Sequence, residues 1–348
     1  MIPTMPIKVR RSLPCALLAL VGLEMQPARA DAVAEFYKGK TISVVVSSAA
    51  GGGYDAMARA IARFISRHMP GNPAFIVQNM PGAGGILAMN YLYNVAAKDG
   101  TVLGLVQNNT PFEPLFGTKE ARYDPSKFNW LGTPSFEVAM ALVWHSVPVN
   151  SVDDLRRIQT SMGVTGANST PAFFARLLNA TLGTKIKLIN GYPGQNDAFK
   201  AMESGELDGA PSVFYSALTS VRPRWLPDKL ARPIVQYGLE RQKQLGDVPF
   251  ALDLLTNEDD KLLMQAAFAP LALGEPEVMP PGVPADRVDA LRKALADTFA
   301  DPEFLAEADR IGLNVNAPRS GAQLQDVISR AYQSPSRVIE RLHQLNNS

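Results

Sequence analysis

Cysteine, histidine and long apolar runs are scarce in this 348-residue sequence, and each scarcity excludes a class of function. The one cysteine, Cys15, lies near the N-terminus, inside a segment that we expect to be removed. The rest of the chain then has no disulfide, no thiol nucleophile and no thiolate metal site. His68, His145 and His343 lie far apart, and none has a second metal ligand four residues away. We therefore expect no metal and no cofactor.

An excess of charge of either sign is also missing. Lysine and arginine number 34 against 33 acidic residues, and no basic run is longer than Arg10-Arg11. This excludes a nucleic acid as a partner, because binding a polyanion requires clustered positive charge. The sequence has no G-x-S-x-G elbow, and Gly39-Lys40-Thr41 precedes a predicted strand instead of following one, unlike a phosphate-binding loop. The chain is therefore not predicted to be an enzyme.

The first thirty residues have the pattern of a secretory signal peptide. Three basic residues precede position 12, residues 13–23 form a short apolar stretch, and residues 28–30 read A-R-A. We expect export, with cleavage before Asp31. The apolar stretch is about half of the ~20 residues that span a bilayer, so it does not predict an anchor. An exported chain without cysteine indicates a bacterial periplasm.

Beyond the leader, strand-like runs alternate with helical stretches through glycine-rich turns. The β-branched run at 41–47 leads through the glycines at 51–53 into a stretch with helical spacing over 54–68. The same order of strand, turn and helix starts again near residue 138. This alternation predicts an α/β fold in which each lobe is a mostly parallel sheet flanked by helices.

The position of the second series predicts two lobes, one inserted into the other. Lobe 1 is predicted to hold residues 31–134 plus 255–348, and lobe 2 to hold residues 135–254. The chain crosses between the lobes twice in this scheme, which indicates a hinge.

Five polar or glycine-rich loops each follow a strand and precede a helix, at 48–55, 81–86, 107–110, 166–170 and 192–196. In open α/β sheets, ligands bind at the carboxyl ends of the strands, where such loops meet. The unpaired N–H groups of the following helices favour an anion. The loops therefore predict a binding site for a small carboxylate.

Several of these loops carry motifs that resemble one known family. The motifs are GGGYDAMAR at 51–59, NMPGAGG at 79–85, DGT at 99–101, YDP at 123–125, GANST at 166–170, GYPG at 191–194, GVP at 282–284 and ADP at 300–302. In this order and spacing the chain resembles the tripartite tricarboxylate transporter receptors, the Bug family of periplasmic solute-binding proteins. The resemblance covers essentially the whole chain after the leader.

This resemblance implies a two-lobed periplasmic-binding-protein fold of the type II, clamshell form. It also implies that loops of both lobes hold the carboxylate of a ligand between them. The residues carried over are Ala50, Gly52, Gly53, Tyr54, Asp55, Asn108 and Asn109 from lobe 1, and Asn168, Ser169, Thr170, Tyr192, Gln195 and Ser212 from lobe 2.

The chain departs from the family pattern at its glycine turn, which reads A-A-G-G-G at 49–53 instead of P-x-G-G, at Pro193, where a lysine is common, and at two positions that bear on the ligand. Ser212 replaces an acid that is often found there, which disfavours a ligand with an amino group, because a buried ammonium needs a counter-charge. Tyr54 stands where a small polar residue is common, and its ring would offer a flat wall to an aromatic body.

The resulting hypothesis is a periplasmic receptor, expected to be monomeric. It would bind a mono- or dicarboxylate, aromatic acids included, and deliver it to a membrane permease of one large and one small subunit. One alternative is a receptor that signals to a partner instead of feeding a permease. Another is a secreted hydrolase or lyase that uses Asp55 or Tyr192 as acid–base groups.

Overall fold

The computed structural model describes Met1, residues 26–167 and residues 169–347, so most of the predicted leader lies outside the described residues. The helices in this part are α1 Gln26–Tyr37, α2 Gly53–Phe64, α3 Ile86–Asn94, α4 Val152–Arg157, α5 Thr170–Leu182, α6 Gln195–Glu203, α7 Tyr215–Val221, α8 Glu258–Phe268, α9 Ala285–Ala300, α10 Pro302–Arg310, α11 Gly321–Tyr332 and α12 Ser336–Asn346. The predicted cut before Asp31 falls within α1 and stays a prediction. None of these helices is long and apolar enough to cross a membrane.

The strands form two separate sheets. They are β1 Thr41–Val46, β2 Ala74–Asn79, β3 Val102–Leu105, β4 Asn129–Thr133, β5 Ala139–Trp144, β6 Thr160–Gly163, β7 Ile186–Ile189, β8 Gly209–Phe214, β9 Ala231–Tyr237, β10 Glu277–Met279 and β11 Arg319–Ser320. The first sheet has the order β11-β4-β10-β3-β1-β2, and the second has the order β7-β6-β8-β5-β9. The predicted α/β fold with two lobes is confirmed.

Both sheets are mixed, whereas the sequence predicted mostly parallel ones. In the first sheet β1 is parallel to β2 and β3, but β10 runs antiparallel to β3 and β4. In the second sheet β5 runs antiparallel to β8 and β9. The reason is the crossing of the chain. After each crossing, β5 or β10 begins beside the C-terminal end of a neighbouring strand and therefore runs in the opposite direction.

Helices cover both faces of the first sheet because β1 is apolar on both sides. Val44 and Val46 lie in a buried cluster with Met57 of α2 and Leu291 of α9. Val45, which points the other way, packs in a separate cluster with residues of α3 and α11. Burial on both faces fixes the sheet between two helix layers and leaves its carboxyl edge free for the loops.

The C-terminal part of the chain packs partly on the second sheet. Met264 of α8 and Leu342 of α12 belong to the same buried cluster as Val143 of β5 and Leu178 of α5. Helices α8 and α12 therefore lie on the lobe of the second sheet, although the sequence assigned residues 255–348 to lobe 1. The predicted boundary at residue 255 remains a prediction.

Three carboxyl groups lie close to the points where the chain crosses between the sheets. Glu137 precedes β5, Glu275 precedes β10, and Glu277 is the first residue of β10. Ser135 donates to Glu275 at 2.7 Å, and Ser216 donates to Glu137 at 2.8 and 2.9 Å. Burial raises the pKa of Glu137 to about 7 and also raises the pKa of Glu275. Glu277 in β10 is 1% exposed, and neither of its carboxyl oxygens has a hydrogen-bond partner among the described residues.

Candidate functional site

Asp55 holds the glycine loop at the end of β1 in place. Its carboxylate accepts hydrogen bonds from the Gly51 backbone N–H at 2.9 Å, from Arg59 Nε at 3.0 Å and from Asn79 Nδ2 at 2.9 Å. The hydrogen bond from Arg59, helped by those from Gly51 and Asn79, lowers the pKa of Asp55 to about 2. Asp55 is 4% exposed. It therefore orders the loop and does not have the near-neutral pKa or access that an acid–base group needs.

The ordered loop presents the N-terminus of α2. The N-cap residue is Gly52, which has no side chain to cap the helix, and Ala50, Gly52 and Gly53 are exposed. Gly85 and Gly194 cap α3 and α6 in the same way, without a side-chain hydrogen bond. All three helices follow loops predicted from the sequence. At α3, however, Gly85 is buried and the N–H of Ile86 donates to the carbonyl of Ala83, so the starts of α2 and α6 are the ones that can present N–H groups to an anion.

Tyr54 has a positioning role. Its hydroxyl accepts a hydrogen bond from the backbone N–H of Asn108 at 3.2 Å and donates to the carbonyl of Gly274 at 3.4 Å. Burial raises the pKa of Tyr54, which keeps the phenol protonated. Its ring packs against the buried cluster on the α2 face of the first sheet. The hydroxyl thus ties the loop after β3 to a crossing segment.

A cavity of about 450 Å³ lies between the two lobes. It brings together three of the predicted residues, Asn108 and Asn109 after β3 and Thr170 at the start of α5. Sequence reasoning missed the rest of the wall, which is formed by Gln107, Glu113, Phe116, Phe173, Phe174 and Phe214, with Ala267, Pro270, Leu271 and Asn346. Phe214 is the last residue of β8, and this position at the carboxyl end of a strand is the signal that could have indicated Phe214 as a site residue.

The N-terminus of α5 offers few donors. Ser169 Oγ caps the N–H of Ala172 at 3.4 Å and donates to the carbonyl of Gly166 at 2.7 Å. Pro171 has no N–H. Thr170 remains, and its hydroxyl has no hydrogen bond among the described residues. Asn168, also predicted here, lies outside the described residues.

The other predicted residues of the second lobe, Tyr192, Gln195 and Ser212, bond to residues of that lobe. Tyr192 donates to Glu206 at 2.7 Å, and burial together with this hydrogen bond raises the pKa of Tyr192 to about 12. Gln195 Nε2 donates to the carbonyl of Ser212 at 3.3 Å, and Ser212 is buried. None of these three residues lines the cavity at Thr170. Their role in ligand binding stays a prediction.

The fold and this cavity define a class of protein, a two-lobed solute-binding receptor. A family model described as the tripartite tricarboxylate transporter family receptor matches residues 57–343. The chain belongs to this family. Its members are periplasmic receptors, not enzymes, that bind small carboxylates and work with a membrane permease.

Similar proteins agree with this assignment. One relative by sequence is the UPF0065 protein in the TAR-I ttuE-ttuC' intergenic region of Agrobacterium vitis. It is 26% identical over an alignment of 279 residues, and the match covers 77% of this chain and 75% of that protein. The structure is similar to a TctC solute-binding protein from Polaromonas without ligand, with a TM-score of 0.71, 20% identity, and coverage of 89% and 99% of the two chains. An R. palustris protein with adipate gives a TM-score of 0.56 at 20% identity, covering 88% and 97%.

Proposed function

We propose that this protein binds a small organic carboxylate between its two lobes and delivers it to a membrane permease of one large and one small subunit. The cavity between Asn108 and Thr170 carries the first part of this proposal, because polar residues from both lobes line one space. The permease follows from the family to which the chain belongs. The receptor acts as a monomer and returns its ligand unchanged.

The carboxylate is held mainly by backbone groups. Ala50, Gly52 and Gly53 at the start of α2 are exposed and do not line the cavity themselves, but Tyr54 links this turn to Asn108, which does, so its N–H groups are the further lobe 1 donors of this proposal. Thr170 at the start of α5 provides the facing contact from lobe 2, because Ser169 is already bonded to Gly166 and Ala172. Closure of the lobes excludes water, which strengthens these hydrogen bonds. A ligand drives closure only if it binds the closed form better than the open one.

Thermal unfolding of the purified protein against a panel of carboxylates, amino acids and sugars tests the proposal. A true ligand present at about 100 times its Kd stabilises the protein by ~2.7 kcal/mol. The stabilising compound is then recovered and identified by mass spectrometry. We expect a carboxylate that comes back unchanged. Chemical conversion of the compound, or no shift with any carboxylate, would contradict the proposal.

Asn108→Asp gives a sharp variant for this assay. The Asn108 side chain has no hydrogen bond in the described part of the chain. The hydrogen bond from the backbone N–H of residue 108 to the Tyr54 hydroxyl is kept, so we expect the fold to be preserved. The new negative charge repels a bound carboxylate, and we expect the Kd to rise at least tenfold, ~1.4 kcal/mol. Asn150→Asp, an exposed residue outside the cavity, is the matched control and leaves the Kd unchanged.

A further inference from the structure

Phenyl rings from both lobes line the cavity beside its polar side chains. Phe116 follows β3 in the first lobe and Phe214 ends β8 in the second, and both are half-buried. Both also pack against the same buried cluster, so their positions are fixed. Phe173 and Leu271 continue this surface. Such a surface fits an apolar or aromatic body and offers no hydrogen bond to a second polar end.

Glu113 is the charged side chain on the wall of this cavity. Its Oε1 accepts a hydrogen bond from Asn109 Nδ2 at 2.9 Å, and its Oε2 accepts one from Thr118 Oγ1 at 2.7 Å. Both donors are neutral groups. No ion pair to Glu113 is formed within the described residues, and no lysine or arginine of that part of the chain lines the cavity. The negative charge of Glu113 is therefore not cancelled by its neighbours.

The positive charge near the cavity lies behind the loop at the start of α5. Arg176 donates to the carbonyls of Ala167 at 2.7 Å, Leu345 at 2.7 Å and Asn346 at 3.4 Å. Its guanidinium joins this loop to the end of α12 and does not line the cavity. Among the residues that line the cavity, the charged one is Glu113, and it is negative.

We propose, on the basis of the function proposed above, that the receptor selects monocarboxylates with an apolar or aromatic body and rejects dicarboxylates. One carboxylate lies at Asn108 and Thr170, which line the cavity from the two lobes, and the apolar body lies between Phe116 and Phe214. A second carboxylate would face Glu113 or the phenyl rings. It would have no cation to pair with and would lose its hydration.

Calorimetric titration with matched ligand pairs tests this selection. The pairs are benzoate with terephthalate and hexanoate with adipate, which differ in the second carboxylate. Two unit charges a few ångströms apart near a protein surface repel strongly enough to weaken binding about 100-fold. We therefore expect each monocarboxylate to bind about 100 times tighter than its dicarboxylate partner.

Glu113→Gln separates the charge from the shape of the cavity. The substitution keeps a hydrogen-bond acceptor and the size of the side chain. We expect the dicarboxylate to bind more tightly to this variant, so that the preference for the monocarboxylate falls at least tenfold. Glu120→Gln, an exposed glutamate in the same lobe and outside this cavity, leaves the preference unchanged. Circular dichroism and the Tm of both variants check the fold.

The outcomes distinguish the two proposals. If wild-type protein binds adipate or terephthalate as tightly as the monocarboxylate, the selection proposed here is wrong and the carboxylate receptor stands. If Glu113→Gln leaves the preference unchanged, Glu113 does not determine it. If neither pair nor any other carboxylate binds, the receptor function fails together with the selection.

Discussion

The unpartnered carboxyl group of Glu277 makes a strong prediction about stability. Burial raises the pKa of Glu277 well above its usual range, and the nearby Glu275 adds to this rise. A group whose pKa is raised on folding contributes its full stability below its unfolded pKa, ~4.3, and loses it as pH rises through the folded pKa. In this window the free energy of unfolding falls by about 1.4 kcal/mol for each pH unit.

Glu277→Gln removes this titration while nearly preserving the size of the side chain. We expect the variant and the wild type to have similar free energies of unfolding near pH 4. Above pH 4, the free energy of unfolding of the variant should exceed that of the wild type by about 1.4 kcal/mol more for each pH unit. Glu137 and Glu275 also have raised pKa values, but their contributions are largely shared by both proteins and cancel in the difference.

Urea unfolding followed by circular dichroism between pH 4 and pH 7 gives this difference directly. Glu120→Gln, at an exposed position, is the control and should follow the wild type at every pH. A difference between Glu277→Gln and wild type that stays constant with pH would refute the reasoning, because the carboxyl group would then titrate alike in the folded and unfolded chain.

Two further substitutions test how the first-lobe loops are built. Asp55→Asn removes a carboxylate with a pKa of about 2, and we expect a loss of about 2 kcal/mol at pH 7 that disappears as pH falls below 4 towards 2; a loss that is the same at pH 3 would contradict this. Gly85→Ala brings a Cβ within 2.7 Å of Thr110 Cγ2, whereas Gly84→Ala meets nothing within 4 Å, and both have positive φ. We expect the Tm of Gly85→Ala to be lower than that of Gly84→Ala, with equal values contradicting the packing argument.

Local sequence signals predicted those elements whose ends are marked by capping or by proline. Pro284 and the Asp301-Pro302 pair predict a helix over 285–300, and α9 matches it. Ser151, followed by acidic residues, is a typical N-cap, and its side chain accepts a hydrogen bond from the N–H of Asp154 at 3.1 Å at the start of α4. These signals act within a few residues, so they are visible in the sequence.

Elements that depend on the crossing of the chain were not visible in this way. The strand β10 has three residues and includes Glu277, so its sequence does not resemble a buried strand, yet it pairs with β3 and β4 in the middle of a sheet. Helix α8 has an apolar face, but no local pattern tells which lobe that face packs on. Both facts follow from tertiary packing and not from periodicity.

The candidate site shows the same limit. The strand–loop–helix order predicted Asn108, Asn109 and Thr170, and the structure brings them to one cavity. It did not predict Glu113 or Phe116, because they lie beyond the loop and reach the cavity only through the arrangement of the two lobes. The sequence also did not indicate that the hydroxyl of Tyr54 joins Asn108 to Gly274, while the wall that its ring was expected to form stays a prediction.

The most direct test of the central claim is a crystal structure of the protein with the carboxylate that stabilises it best. We predict electron density for the ligand between the lobes, with its carboxylate at Asn108 and Thr170 and its body between Phe116 and Phe214. A ligand bound outside this cavity, or held by one lobe alone, would contradict the account.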